Sequence, residues 1–111
     1  MQLDITEQDD IVRITVAEER MDAHNSGDLK EQMLQLFDDG KCSLIIDLTQ
    51  VRFIDSSGLG ALVSGFKNAS ARDGNLKLCC LQPQVQSMFE LTRLHRVFEI
   101  FTNHDEALES F

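Results

Sequence analysis

Apolar and polar positions follow two different periods along this chain. Leu3–Glu7 and Ile11–Val16 read as short strands, with Val12, Ile14 and Val16 sharing one face at period two. Gln8-Asp9-Asp10 between them is a tight turn, which predicts an antiparallel pair. From about Ser26 to Phe37 the period becomes helical, because Leu29, Met33, Leu36 and Phe37 fall on one stripe. Asn25 or Ser26 can cap this helix by accepting a bond from an orphan N–H of its first turn. Gly40, after Asp38-Asp39, is placed to close its last turn in the left-handed conformation.

Ser43–Leu48 (SLIIDL) is nearly continuous in apolar residues, the pattern of a strand covered on both faces. A helix is predicted from about Ser57 to Arg72, with Leu59, Leu62, Val63, Phe66 and Ala69 at helical spacing. Leu76–Leu81 is the next strand. Pro83 to about Thr92 is the next helix, with Val85, Met88, Phe89 and Leu91 or Thr92 inward. Val97–Phe101 and His104–Phe111 supply a last strand and a last short helix. The predicted order is ββαβαβαβα. Strands joined by single helices are expected to be parallel neighbours with right-handed crossovers. The fold class is α/β, one domain over residues 1–111.

Composition narrows the function. The 111 residues carry 10 Lys+Arg against 19 Asp+Glu, a net charge of −9. A nucleic-acid binder working through a basic surface is excluded, since phosphate neutralisation needs clustered cations. No apolar run approaches the ~20 residues that span a bilayer, and the acidic opening MQLDITEQDD has no apolar signal core. A cytoplasmic protein is therefore expected, without direct contact to nucleic acid or membrane, and a monomer. Cys42, Cys79 and Cys80 agree with reduced, buried thiols. The adjacent Cys79 and Cys80 would point to opposite faces if both lay on the strand.

Enzymatic chemistry finds no support. Gly58-x-Gly60 is only the start of a dinucleotide fingerprint, whose third glycine position holds Val63. There is no P-loop and no nucleophile elbow, and no histidine is spaced to activate Ser56 or Ser57. His24, His95 and His104 are isolated and lack metal-ligand spacing. No catalytic residue, metal or cofactor is expected, and the sequence displays no clear apolar pocket for a small ligand.

The informative segment is Val51-Arg52-Phe53-Ile54-Asp55-Ser56-Ser57-Gly58-Leu59-Gly60, between the SLIIDL strand and the next helix. Loops at the carboxyl ends of strands collect ligand and regulatory chemistry in α/β sheets. This one also ends at a helix N-terminus, which favours negative charge. A plain cap needs one of Asp55, Ser56 or Ser57 and is worth about 1 kcal/mol. It needs neither three such residues nor Gly58 and Gly60 in the first turn, where each glycine costs up to about 1 kcal/mol relative to Ala. Gly65 adds a third, and the three together could give a smooth face for close approach by another chain. From the residues alone, a cap and a functional loop both stand.

The stretch FIDSSGLGALVSGFKNA resembles the signature of bacterial anti-sigma factor antagonists, the single-domain members of the STAS family (sulfate transporter and anti-sigma antagonist). The likeness covers nearly the whole chain: the Ile11–Val16 strand, the Asp22 turn, SLIIDL, the D-S-S-G-L-G loop, GNLKL and the Leu94–Ile100 tail fall in family order. It departs at Ala17-Glu18-Glu19-Arg20-Met21-Asp22, where the family usually has a glycine before the acid.

The resemblance implies a small mixed sheet of about four or five strands flanked by about four helices. It also implies partner switching. The first hydroxyl residue after the loop aspartate, here Ser56, would be phosphorylated by a serine kinase that is also the anti-sigma factor, a GHKL-type ATPase. The unphosphorylated protein would bind that partner and free its sigma factor. Phosphorylation would abolish binding, and a serine phosphatase of the PP2C type would restore it. The partner surface implied is Asp22, Asp55, Ser56, Ser57, Gly58, Leu59 and Gly60, with Ser57 and Gly58 beginning the helix. Alternatives are a STAS module serving secretion, biofilm or a signalling enzyme, or one sensing a nucleotide.

Overall fold

The computed structural model describes residues 1–111. In chain order the elements are β1 (Leu3–Gln8), β2 (Ile11–Val16), β3 (Arg20–Met21), α1 (Ser26–Asp38), β4 (Ser43–Asp47), β5 (Phe53–Ile54), α2 (Ser56–Ala71), β6 (Asn75–Cys79), α3 (Pro83–Leu91), a 3-10 turn (Leu94–Arg96), β7 (Ile100–Phe101) and α4 (His104–Glu109). The main sheet has five strands in the order β1-β2-β4-β6-β7. Only β1 runs antiparallel to its neighbour, and every later pairing is parallel, as the alternation of strands and helices requires. The implied STAS architecture of a small mixed sheet with four helices is the one observed.

The β1–β2 hairpin is closed by Asp9 and Asp10, whose φ angles of 53° and 66° are the left-handed pair that a two-residue hairpin loop needs. Short polar side chains tolerate that region better than most. Helix α1 buries Leu29, Met33, Leu36 and Phe37, the stripe read from the sequence. It ends in a Schellman arrangement at Gly40, φ 80°, where the Gly40 and Lys41 N–H groups donate to Phe37 O and Leu36 O, both at 2.9 Å. Its start differs from expectation. Asn25 occupies the cap position but makes no side-chain cap bond. Its Oδ1 instead accepts from the Asp22 N–H (2.9 Å) and its Nδ2 donates to Arg20 O (2.7 Å), which fastens the turn after β3.

The sheet is covered on both sides. Val12, Ile14, Val16, Leu44, Ile46, Leu76 and Leu78 join Leu29, Met33, Leu62, Val85 and Phe89 of the three longer helices in the main core. Ile45 and Cys79 point the other way and pack under Ala107 of α4. Phe98 meets both Phe66 and Phe89 edge-on, with ring centroids 5.3 and 5.7 Å apart, and locks the segment after α3 onto the core.

Three expectations are corrected. Leu91 and Thr92 do not turn inward. Leu91 is 79% exposed, because the helix stops there and Thr92 Oγ1 folds back to donate to Met88 O at 2.8 Å. The last strand is shorter than Val97–Phe101, because Arg93 at φ 62° starts a 3-10 turn that occupies Leu94–Arg96. Strand β6 ends at Cys79, and Cys80 adopts φ 67°, so the two thiols do not lie on opposite faces but approach to 3.1 Å. No helix is long and apolar enough to cross a membrane.

Candidate functional site

The loop that carries the sequence signature is fixed by a second, two-stranded sheet that periodicity does not reveal. Strands β3 and β5 pair in parallel, Arg20 with Phe53 and Met21 with Ile54. Glu19 O accepts from both Arg52 N–H and Phe53 N–H, at 2.8 and 3.0 Å, and Asp55 N–H donates to Met21 O at 3.1 Å. Parallel pairing in this register makes Asp22 and Asp55, 33 positions apart in the chain, leave the small sheet side by side. Two of the sequence-predicted site residues are thereby brought to one edge.

Asp55 is the N-cap of α2. Its Oδ1 accepts from Ser57 N–H at 2.9 Å and Gly58 N–H at 3.0 Å, so one carboxylate satisfies two orphan donors of the first turn. The helix therefore begins at Ser56, one residue before the expected start. Ser56 is exposed and takes no part in the cap, which leaves its hydroxyl facing solvent at the positive end of a 16-residue helix. Ser57 is half-buried, Gly58 and Leu59 are buried, and Gly60 is exposed.

The glycines divide by role. A Cβ on Gly58 would lie 2.7 Å from both Met21 O and Ile54 Cγ1, and one on Gly65 would lie 2.6 Å from Met33 Sδ and 2.9 Å from Leu76 Cδ1. Both are demanded by packing inside the domain, which corrects the reading of them as a cleared face for another chain. Of the three glycines of α2, only Gly60 has open space, with nothing within 4 Å.

The sequence reading missed Arg20 and Phe53 as members of this surface. The Arg20 guanidinium stands 4.2 Å over the Phe53 ring, which is 40% exposed, and its Nε lies 3.6 Å from Asp22 Oδ2. Asp22 Oδ1 accepts from the His24 N–H at 2.9 Å. An exposed aromatic at the centre of a polar rim is a common anchor of protein interfaces. Two strands of two residues each leave no periodic trace that could have joined Arg20 to Phe53 in advance.

A second polar group lies under α4, at the carboxyl ends of β4 and β6. Asp47 is buried and accepts from Arg13 Nη2 at 2.5 Å, and from Thr49 N–H and Oγ1 at 2.9 and 2.5 Å. Burial pushes the Asp47 carboxyl up, but the bonds from Thr49 and Arg13 outweigh it and hold the group below its ordinary range. His104 is held below its ordinary value by burial and then by the Arg13 charge. Burial pushes the Cys79 thiol up, with Cys80 and Asp47 adding to the effect.

The STAS domain family model matches residues 2–107. An anti-sigma-B factor antagonist of Listeria monocytogenes is 36% identical over 99 residues, covering 88% of this chain and 86% of that protein. The crystal structure of an anti-sigma factor antagonist from Mycobacterium paratuberculosis superposes with a TM-score of 0.87 at 22% identity, over 98% of this chain and 92% of that one. The Bacillus cell fate determinant SpoIIAA, solved in its phosphorylated form, superposes with a TM-score of 0.77 at 18% identity over 98% of both chains.

Proposed function

The chain belongs to the STAS domain family, and from that premise we propose that it is an anti-sigma factor antagonist that switches partners through phosphorylation of Ser56. The observation that carries this reading is the division of labour at the α2 N-terminus. Asp55 already caps the helix, so the neighbouring exposed Ser56 hydroxyl has no structural duty and is open to modification.

The physics of the switch follows from that placement. A phosphoserine carries about −1.5 to −2 charge at pH 7. In the free protein the group sits in water beside the positive end of α2, which tolerates it. In a complex, the same charge would be pressed against a partner next to Asp55 and Asp22, where like-charge repulsion and desolvation both oppose docking. A penalty of about 3 kcal/mol lowers affinity more than a hundredfold. No rearrangement of the fold is required, only a change in what the surface accepts.

The partner of the unphosphorylated form is an anti-sigma factor that doubles as a GHKL-type serine kinase, and a PP2C-type phosphatase resets the cycle. The surface offered is Asp22, Asp55, Ser56, Ser57 and Gly60 with Phe53 and Arg20, supported from below by buried Gly58 and Leu59. The test is to incubate the protein with ATP and its cognate GHKL-type serine kinase and to map the phosphate by mass spectrometry. A single phosphate on Ser56, absent in Ser56→Ala, is expected. Phosphate on Ser57 or on another element overturns the assignment.

A further inference from the structure

We infer that Cys79, Cys80 and Asp47 form a binding site for a thiophilic divalent metal ion of the zinc class. Adjacent residues of a strand point to opposite faces. Here β6 stops at Cys79 and the left-handed backbone of Cys80, φ 67°, folds the second thiol back toward the first, with the sulfurs 3.1 Å apart. That conformation costs about 1–2 kcal/mol for a residue with a side chain. It is held by Cys80 N–H donating to Phe101 O (3.0 Å) and by Leu48 N–H donating to Cys79 O (3.1 Å).

The two Sγ atoms and an Asp47 carboxylate oxygen all lie within 4.8 Å of one another. Bonds of about 2.3 Å to a tetrahedral ion put two sulfurs about 3.7 Å apart, so the pair needs only a small opening to chelate. Thiolate, thiolate and carboxylate are a donor set suited to a borderline ion rather than to magnesium or calcium. The charge also balances. Binding displaces the two thiol protons to solvent; the resulting two thiolates and Asp47 bring three negative charges, and a divalent ion with the Arg13 guanidinium on Asp47 brings three positive ones. A fourth position is left for water.

Access is through Cys80, which is half-buried and lies at the carboxyl end of β6, the end of the sheet where α/β domains place ligands. Cys42 is remote from this group: it precedes β4 at the other end of the sheet, where its carbonyl accepts from Asn75 N–H at 2.9 Å.

The experiment is an anaerobic titration of the reduced protein with cobalt(II), followed by displacement with zinc. One cobalt per chain is expected, with an intense thiolate-to-cobalt charge-transfer absorption that one equivalent of zinc abolishes. Cys79→Ala and Cys80→Ala should each lose the band, Cys42→Ala should keep it, and Asp47→Asn should weaken binding roughly tenfold or more. A second measurement needs no variant: one equivalent of zinc should slow alkylation of Cys80 in the wild-type protein at least tenfold and leave Cys42 unchanged. Absence of the charge-transfer band, its loss in Cys42→Ala, or alkylation of Cys80 at the same rate with and without zinc overturns the site.

Discussion

A Cβ on Gly58 would stand 2.7 Å from the carbonyl oxygen of Met21, an atom of the backbone that cannot swing aside. This contact explains why the first turn of α2 carries a glycine that capping does not need. It seats the helix directly on β3 and so fixes the position of Asp55 relative to Asp22. Gly58→Ala must push α2 away from the small sheet. A loss of about 1–3 kcal/mol in unfolding free energy is expected from overpacking, measured by urea denaturation. An unchanged midpoint would mean that the contact is slack.

Gly60 is expected to behave in the opposite way. Nothing lies within 4 Å of its missing side chain, and it is a helix-interior position. Gly60→Ala should leave the fold unharmed or stabilise it by up to about 1 kcal/mol, since alanine loses less entropy in a helix. If the partner docks over this turn, the added methyl should weaken binding at the same time. Stability and affinity, measured on one preparation, should therefore move apart. Parallel losses would place Gly60 in the packing of the domain instead.

The cap is testable apart from the switch. Asp55→Ala removes the acceptor of two N–H bonds and should cost about 1 kcal/mol, whereas Asp55→Asn should keep most of that stability. Thermal unfolding of the two variants separates them. Equal melting temperatures would show that Ser56 or Ser57 can take over the cap, and would undercut the claim that the Ser56 hydroxyl is idle in the free protein.

Stability should fall on acidification in two stages. His104 has a lowered pKa in the folded state, so the unfolded chain binds more protons below about pH 6.5, and stability declines as pH drops through that value. Asp47 is also lowered, so its contribution is complete above the ordinary carboxylate value of about 3.9 and is lost as pH falls from there toward the folded-state pKa. Chemical denaturation between pH 8 and 3 checks both. His104→Gln should flatten the upper stage and leave the lower one, and a profile unchanged by the substitution would contradict the assignment.

The main sheet and its helices were legible because their periods are long enough to read. Leu29-Met33-Leu36-Phe37 and the SLIIDL run each report a buried face without help from the rest of the chain. Short elements were not legible. Strands β3 and β5 span two residues each, so Arg20 beside Phe53 is a tertiary fact with no local pattern behind it. Positive φ at Cys80 and Arg93 was invisible for a related reason, because neither residue type announces a left-handed turn and long-range bonds to the sheet hold the first of them. At the candidate site, the D-S-S-G-L-G signature singled out one loop, and the structure shows how that loop is built. What it could not separate was the work of each residue: Asp55 caps, Gly58 packs, and Ser56 faces water.

The central claim is that one phosphate on Ser56 controls docking through charge alone. The most direct measurement is the dissociation constant of the cognate anti-sigma factor kinase for the unmodified protein and for the protein phosphorylated at Ser56, by calorimetry at physiological salt with matched circular dichroism spectra. The account predicts binding at least a hundredfold weaker for the phosphorylated form and an unaltered fold. Equal constants for the two forms would contradict it.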